Sequence, residues 1–514
     1  MTRHSRYGLH FGTIGLVAAT ALALTACTQS DAPDSSSGGN SSALVVAVTT
    51  DVNTLAPWTV TQFQATNVLQ NLYGTLLEFD DDLQVVPGLA ESWETSEDGL
   101  IVTFKLREGV EFSDGSAFDA DDVVASYTAI KDPATAAVSA ANLASVATVE
   151  AADDSTVTLT LSAPDAALFS KLAVVTTAIL PSDVDTSTID ATPIGTGAFV
   201  LQDRVPNQSL TLAANATYWG GEPEVDSIEF RVIPDQSAIV SALQAGSVQM
   251  AVFDDQLVSS TIGGTVAVTE TPQLSYHVLQ LNSRSAPLDN VDVRLAISCA
   301  INRQEVLDTA ALGAGEVTGP ITSPAFRSDP DARPCPEDDV ETAKQYLAEA
   351  GYDDGLSLKA IVMQGGYATA IAEAENIQAQ LAKVGITLEL EPLESGTYID
   401  RWIAGDFELA IALNGGQPDP DAMYGRYFTS DGNLNAVAGY SSASLDALFA
   451  DGKAETDPDA RIAIYEKVSA ELENEAAWVW LFTSYTYTAT AAGVAGFIPM
   501  SNGSLQNLRD VTID

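Results

Sequence analysis

An α/β fold divided into two or three lobes is predicted for this chain by its length, its apolar content and the alternation of strand-like and helix-like segments. The sequence has 514 residues, 46% of them hydrophobic, which is ample for burial but too long a chain for one simple core. Ile101 to Leu106 (IVTFKL) and Thr156 to Leu161 (TVTLTL) alternate with period two, the pattern of half-buried strands. Between about Thr271 and Tyr485 the periodicity switches repeatedly between helix and strand, which is the α/β signature.

The first element is a predicted export signal. Arg3 and Arg6 form a basic start, Phe11 to Leu24 an apolar run, and Thr25 and Ala26 lead into Cys27. The apolar run falls short of the ~20 residues that cross a bilayer as a helix, so cleavage is expected rather than a transmembrane anchor. Leu24-Thr25-Ala26-Cys27 resembles the bacterial lipobox, which implies that Cys27 is lipidated and becomes the first mature residue. The Ser/Gly/Asp tract that follows, through Ser42, buries too little apolar surface to order itself. Residues 1–26 are therefore expected to be the signal and 27–42 a flexible tether, with the protein anchored to the outer face of a membrane or held in the periplasm.

Composition narrows the partners. The formal net charge is -48, and loss of Arg3 and Arg6 with the signal makes it -50, distributed without one acidic tail. Such a surface repels phosphate backbones, which excludes nucleic acid; it suits solubility or high salt and does not identify a ligand. With Cys27 committed to lipid, Cys299 and Cys335 remain, in a compartment that permits disulfides. They are expected to pair and pin a Pro-flanked loop to a helix; two unpaired buried thiols are the alternative.

Further elements follow in chain order. Ala43 to Thr50 reads as a buried strand and Gln64 to Leu77 as a helix. Asp119, with Asp122 three residues later and the apolar face Val123, Val124, Tyr127 and Ile130, predicts a capped helix rather than a catalytic acid pair. Ser209 to Ala213 and Ser227 to Ile233 are predicted strands, and Ser237 to Ala245 a helix. The third region contains predicted helices at 292–311, 340–350, 368–384 and 459–474, and strands at 356–363, 386–390 and 408–413. Trp478, Trp480 and Phe482 alternate on one predicted strand and are expected in the core.

Several blocks in one order carry a resemblance. They are Pro87 to Trp93 (PGLAESW) running into Glu97 to Tyr127, Pro193 to Phe199 (PIGTGAF), ANATYWGG ending at Gly221, Phe230 to Ala251, VDVRLAISCAINRQEV, LAEAGY and Asp419-Pro420. Together they resemble the extracytoplasmic solute-binding proteins of family 5, which serve ABC importers for dipeptides, oligopeptides, nickel and some oligosaccharides, over nearly the whole mature chain. Most of these residues read as architectural, with Gly195 and Gly197 allowing a tight chain passage. The resemblance implies a two-lobed, periplasmic-binding-protein-like fold of type II (cluster C) with a small domain inserted in lobe one. Domain I would comprise 43–75, 193–271 and 486–514, domain II 76–192, and domain III 272–485, with the chain crossing near Thr271 and Tyr485. It further implies a monomer that closes on a small solute, delivers it to ABC permease subunits, and needs no cofactor or metal.

The same resemblance directs attention to the ligand site. In the family's peptide binders an aspartate shortly before the Asp-Pro motif holds the peptide amine, and an arginine often meets its carboxylate. With Asp419-Pro420 aligned to the motif, Gly416 occupies the amine-anchoring place, and Lys383 is the one base between Lys359 and Arg401. Asn414, Gly415, Gly416 and Gln417 offer open backbone and neutral amides, suited to an uncharged polar ligand; the alternative is a simple turn after a strand. Trp58, Phe63 and Gln64 are further candidates from lobe one, with Asp419, Tyr424 and Asn435 from lobe two. The lead expectation is a short peptide or peptide-like solute, with an oligosaccharide or other neutral polar solute as the alternative.

An enzyme or a passive surface protein is the rival reading. His277 is the one histidine that survives export and reads as structural, so H-E-x-x-H zinc chemistry is excluded. No G-x-S-x-G elbow or P-loop is present, and direct nickel ligation lacks imidazoles.

Overall fold

The computed structural model describes residues 42–336 and 338–513. The predicted signal, Cys27 and the tether through residue 41 lie outside the described residues. Ser42 already belongs to the fold, its backbone N–H donating to Asp226 Oδ2 at 2.7 Å and its carbonyl accepting from the Asp226 N–H at 2.9 Å. No described helix is long and apolar enough to cross a membrane.

Among the described residues a twelve-stranded sheet runs through the molecule. Its path is Ile386–Glu394, Leu356–Gln364, Leu409–Asn414, Tyr276–Leu281, Trp478–Thr490, Met250–Phe253, Ala43–Val48, Ser227–Val232, Ser209–Ala214 and Phe199–Val205. The two remaining strands, Ala267–Pro272 and Gly315–Val317, both pair with Trp478–Thr490. That long strand joins two halves. Its first part lies antiparallel to Tyr276–Leu281, and its second part lies antiparallel to Met250–Phe253 and Ala267–Pro272, with Pro272 opposite Tyr485. The neighbouring crossing, from Pro272 to Tyr276, is laced to it: Gln273 N–H donates to the Ser484 carbonyl at 2.9 Å, and Thr483 Oγ1 donates to the Ser275 carbonyl at 2.8 Å.

Each half has its own cores. On one side, Leu44, Phe104, Tyr127, Phe230 and Leu508 belong to one continuous cluster, so the strands at the N-terminus, the segment after it and the C-terminal tail consolidate together. On the other, apolar side chains cover both sheet faces, Leu279, Ile411 and Leu481 on one and Val278, Ala412 and Trp480 on the other. This is the mixed α/β, two-lobed arrangement expected. A separate antiparallel sheet, ordered Ala90–Thr95, Ile101–Leu106, Thr156–Leu161 and Val146–Asp153, packs against Ala120–Lys131. The helix begins as its sequence predicts: Asp119 accepts from Asp121 N–H at 2.9 Å, and Asp122 accepts back from Asp119 N–H at 2.9 Å.

Two expectations are corrected. The single helix predicted over 292–311 is two, Val291–Ala300 and Arg303–Ala310, because Asn302 caps the second by accepting from Glu305 N–H at 2.8 Å. Gln380 secures the break, taking the Asn302 N–H at 2.6 Å. Phe482 does not share a face with Trp478 and Trp480: the ladder slips between His277 and Val278, and Phe482 turns to the opposite core. Cys299 and Cys335 form a disulfide with Cα atoms 5.6 Å apart, joining the helix Val291–Ala300 to the loop that precedes the helix Val340–Glu349.

Candidate functional site

The helix Phe63–Leu72 presents its first turns to a groove at the crossing strands. It is held from behind. A Cβ on Gly195 would lie 2.3 Å from the Leu72 carbonyl oxygen, and one on Gly197 2.4 Å from Asn71 O, so the PIGTGAF passage closes onto the helix end as only glycine permits. The helix stops at Leu72, earlier than predicted, where Gly197 N–H takes the Leu72 carbonyl at 3.0 Å.

The groove has two connected chambers, of about 570 Å³ and about 210 Å³, which share Phe63, Asn67, Asp254, Thr486 and Gly503. The larger draws on both halves: the helix face and Val174 from one, Leu274 and Gly415 to Pro418 from the other, with Gln273 and Thr486 from the crossing strands. Apolar walls alternate with amides, Asn67, Gln70, Gln273, Gln417 and Asn502 among them. Asp254 is the one charged side chain lining either chamber among the described residues.

The predicted site residues divide. Phe63, 56% exposed, lines both chambers, and Gln64 lines the smaller. Gly415, Gly416 and Gln417 line the larger. Gly415 faces open space, whereas a Cβ on Gly416 would meet the Leu274 carbonyl oxygen at 1.9 Å. An aspartate at 416 is thus excluded by packing, not merely missing. Asn414 is buried at the end of its strand, donating to Tyr276 OH at 3.3 Å, and does not reach either chamber.

Four further candidates lie outside both chambers, with distant partners holding their polar atoms. Trp58 is buried and donates its indole N–H to the Ala178 carbonyl at 2.9 Å. Tyr424 is fully buried, donating to the Pro320 carbonyl and accepting from Trp480 Nε1 at 2.9 Å; burial holds its hydroxyl well above the ordinary phenol range. Asn435 is buried and donates to the carbonyls of Tyr427 and Tyr440 at 2.8 and 3.1 Å. Asp419 is 3% exposed and makes a two-pronged ion pair with Arg461 at 2.6 and 3.0 Å. It anchors the chain after the groove rather than entering it.

His277 has the structural role expected. Its Nδ1 lies 2.8 Å from Glu373 Oε1 in a buried pair, and its ring stacks on Phe482 with centroids 4.1 Å apart. No group of three or more potential metal ligands occurs among the described residues. Asp254, Asn67, Gln70 and Thr486 were not singled out from sequence. A signal was available only for Asp254, which follows a strand and stands beside Asp255; Asp255 caps the next turn, accepting from Leu257 N–H at 2.8 Å, and leaves its neighbour without that duty.

A sheet continued through two crossing strands, with a mixed apolar and amide groove beside them, is the architecture of a two-lobed solute-binding protein. The family model described as bacterial extracellular solute-binding proteins, family 5 Middle, matches residues 84–435. The chain belongs to that family. Heme-binding protein A of Haemophilus influenzae is 29% identical over 95% of this chain and 96% of its own length. The dipeptide-binding protein of Escherichia coli is 28% identical over 85% of this chain and 88% of its own. The solved structure of HbpA2 from Haemophilus parasuis superposes with a TM-score of 0.85 at 27% identity, covering 92% of this chain and all of that one.

Proposed function

We propose that this protein is the lipid-anchored receptor of an ABC importer, taking a short peptide or peptide-like solute into the groove between its lobes and delivering it to membrane permease subunits. The observation that carries the reading is the larger chamber itself, whose walls come from both halves at the laced crossing, so that movement about these strands opens or closes it. Family membership and the dipeptide-binding relative support the peptide class. Cys27 supplies the anchor and the tract after it the tether; the folded body acts as a monomer, extracytoplasmically, on a solute it does not consume. Domain I spans 43–75, 193–271 and 486–514, domain II 76–192 and domain III 272–485 in this reading.

A second solute class, an oligosaccharide or other neutral polar molecule, is favoured by one observation: no lysine or arginine lines either chamber among the described residues. A thermal-shift screen of short peptides against oligosaccharides, with the solute quantified afterwards, tests both. Stabilisation by peptides with full recovery supports the proposal. Stabilisation by neutral sugars alone removes the peptide assignment, and consumption of the solute removes the receptor role.

A further inference from the structure

Gly416 lines the larger chamber and brings no side chain to it. There, packing against Leu274 leaves no room for a side chain, as the 1.9 Å approach of a Cβ to its carbonyl oxygen shows. The groove nevertheless contains a carboxylate, on the opposite wall. Asp254 follows the strand Met250–Phe253 and lies where the two chambers meet. Its side chain is exposed and has no ion-pair partner within 4.0 Å among the described residues, in contrast to Asp419.

Three features beside it suit a cation. Gln236, which lines the smaller chamber, donates Nε2–H to Asp254 Oδ1 at 3.3 Å and so orients the carboxylate. Phe63, 56% exposed and shared by both chambers, presents an aromatic surface on which an ammonium group is attracted to the ring face. No lysine or arginine lines the groove, so nothing there neutralises a carboxylate on the ligand, and Asp254 would repel one.

We propose that Asp254 is the ammonium anchor of the groove, and that the solute carries a protonated amine with no free carboxylate bound beside it. An amine-bearing peptide with a blocked C-terminus and an oligomeric amino sugar share that chemistry. The inference rests on the receptor reading and narrows its cargo.

The test uses matched pairs, trialanine amide with N-acetyl-trialanine amide and chitotriose amine with tri-N-acetylchitotriose, on the full folded chain by thermal shift and calorimetry. In at least one pair the amine-bearing member is expected to bind at least tenfold more tightly than its acetylated counterpart, with affinity falling as salt rises. Asp254→Asn should remove that preference and Asp254→Glu should keep part of it; the site is exposed, so both variants are expected to melt as the parent does. Equal binding of acetylated members, or an unchanged preference in Asp254→Asn, overturns the anchor while leaving the receptor standing. Absence of any binder among all four compounds counts against the amine assignment, and extension of that silence to the peptide and sugar screen removes the receptor reading too.

Discussion

Replacing Asp419 with alanine separates a structural role for this carboxylate from a ligand-binding one. Arg461 is buried, with its Nη1 and Nη2 committed to Asp419 at 2.6 and 3.0 Å, its Nε to the Gly452 carbonyl at 2.8 Å, and its guanidinium within 5.4 and 5.0 Å of the Phe326 and Tyr465 ring centres. Burial acts to discharge the guanidinium, but the charge and hydrogen bonds of Asp419 outweigh it and hold its pKa above the ordinary range. Asp419→Ala leaves that cation without its counter-charge, a loss of about 3–5 kcal/mol for a broken buried pair. For a lobe of about 200 residues this corresponds to a fall in melting temperature of roughly 6–20 °C. Asp419→Ala combined with Arg461→Met removes both charges, and most of the lost stability should return. Differential scanning calorimetry of the two variants provides the readout. A single variant that melts with the parent but loses solute-induced stabilisation would refute the reasoning and place Asp419 in the site.

Gly416→Ala should destabilise by about 1–3 kcal/mol through overpacking against Leu274, whereas Gly415→Ala, facing open space, should leave the urea midpoint unchanged. Asp421 is nearly buried, and burial raises its pKa despite Lys453 at 3.6 Å, so its ionisation opposes folding; the stability it contributes is present below the ordinary carboxylate value of 3.8 and is lost as pH rises through the raised value. Asp421→Asn is therefore expected to be more stable than the parent at pH 7, with the gain shrinking to nothing below about pH 4 in pH-resolved urea melts. Cys299→Ser with Cys335→Ser should cost about 4 kcal/mol for a loop of 36 residues, and non-reducing peptide mapping of the parent should recover the two cysteines as one linked peptide.

The legible parts of this fold are those set by neighbours in sequence. Asp119 and Asp122 announce a helix because both capping partners lie within its first turn, and the alternation of Trp478, Val479, Trp480 and Leu481 places two residues in each core. Legibility ends where a distant segment decides. Asn302 divides a helix with help from Gln380, and Phe482 changes face because the ladder with His277 slips. At the site, Trp58, Tyr424, Asn435 and Asp419 have the chemistry of ligand contacts, yet Ala178, Pro320, Tyr427 and Arg461 already satisfy them. Gly416 shows the converse: its place was readable from the Asp-Pro motif, but the reason no side chain stands there is Leu274, far away in sequence.

Capture of a solute by closure of the two lobes is most directly tested by small-angle scattering of the folded chain, with and without the solute that gives the largest thermal shift. A smaller radius of gyration at saturation, reversed when the intact solute is dialysed away, is the predicted result. A thermal shift with identical scattering curves, or recovery of a chemically altered solute, would contradict it.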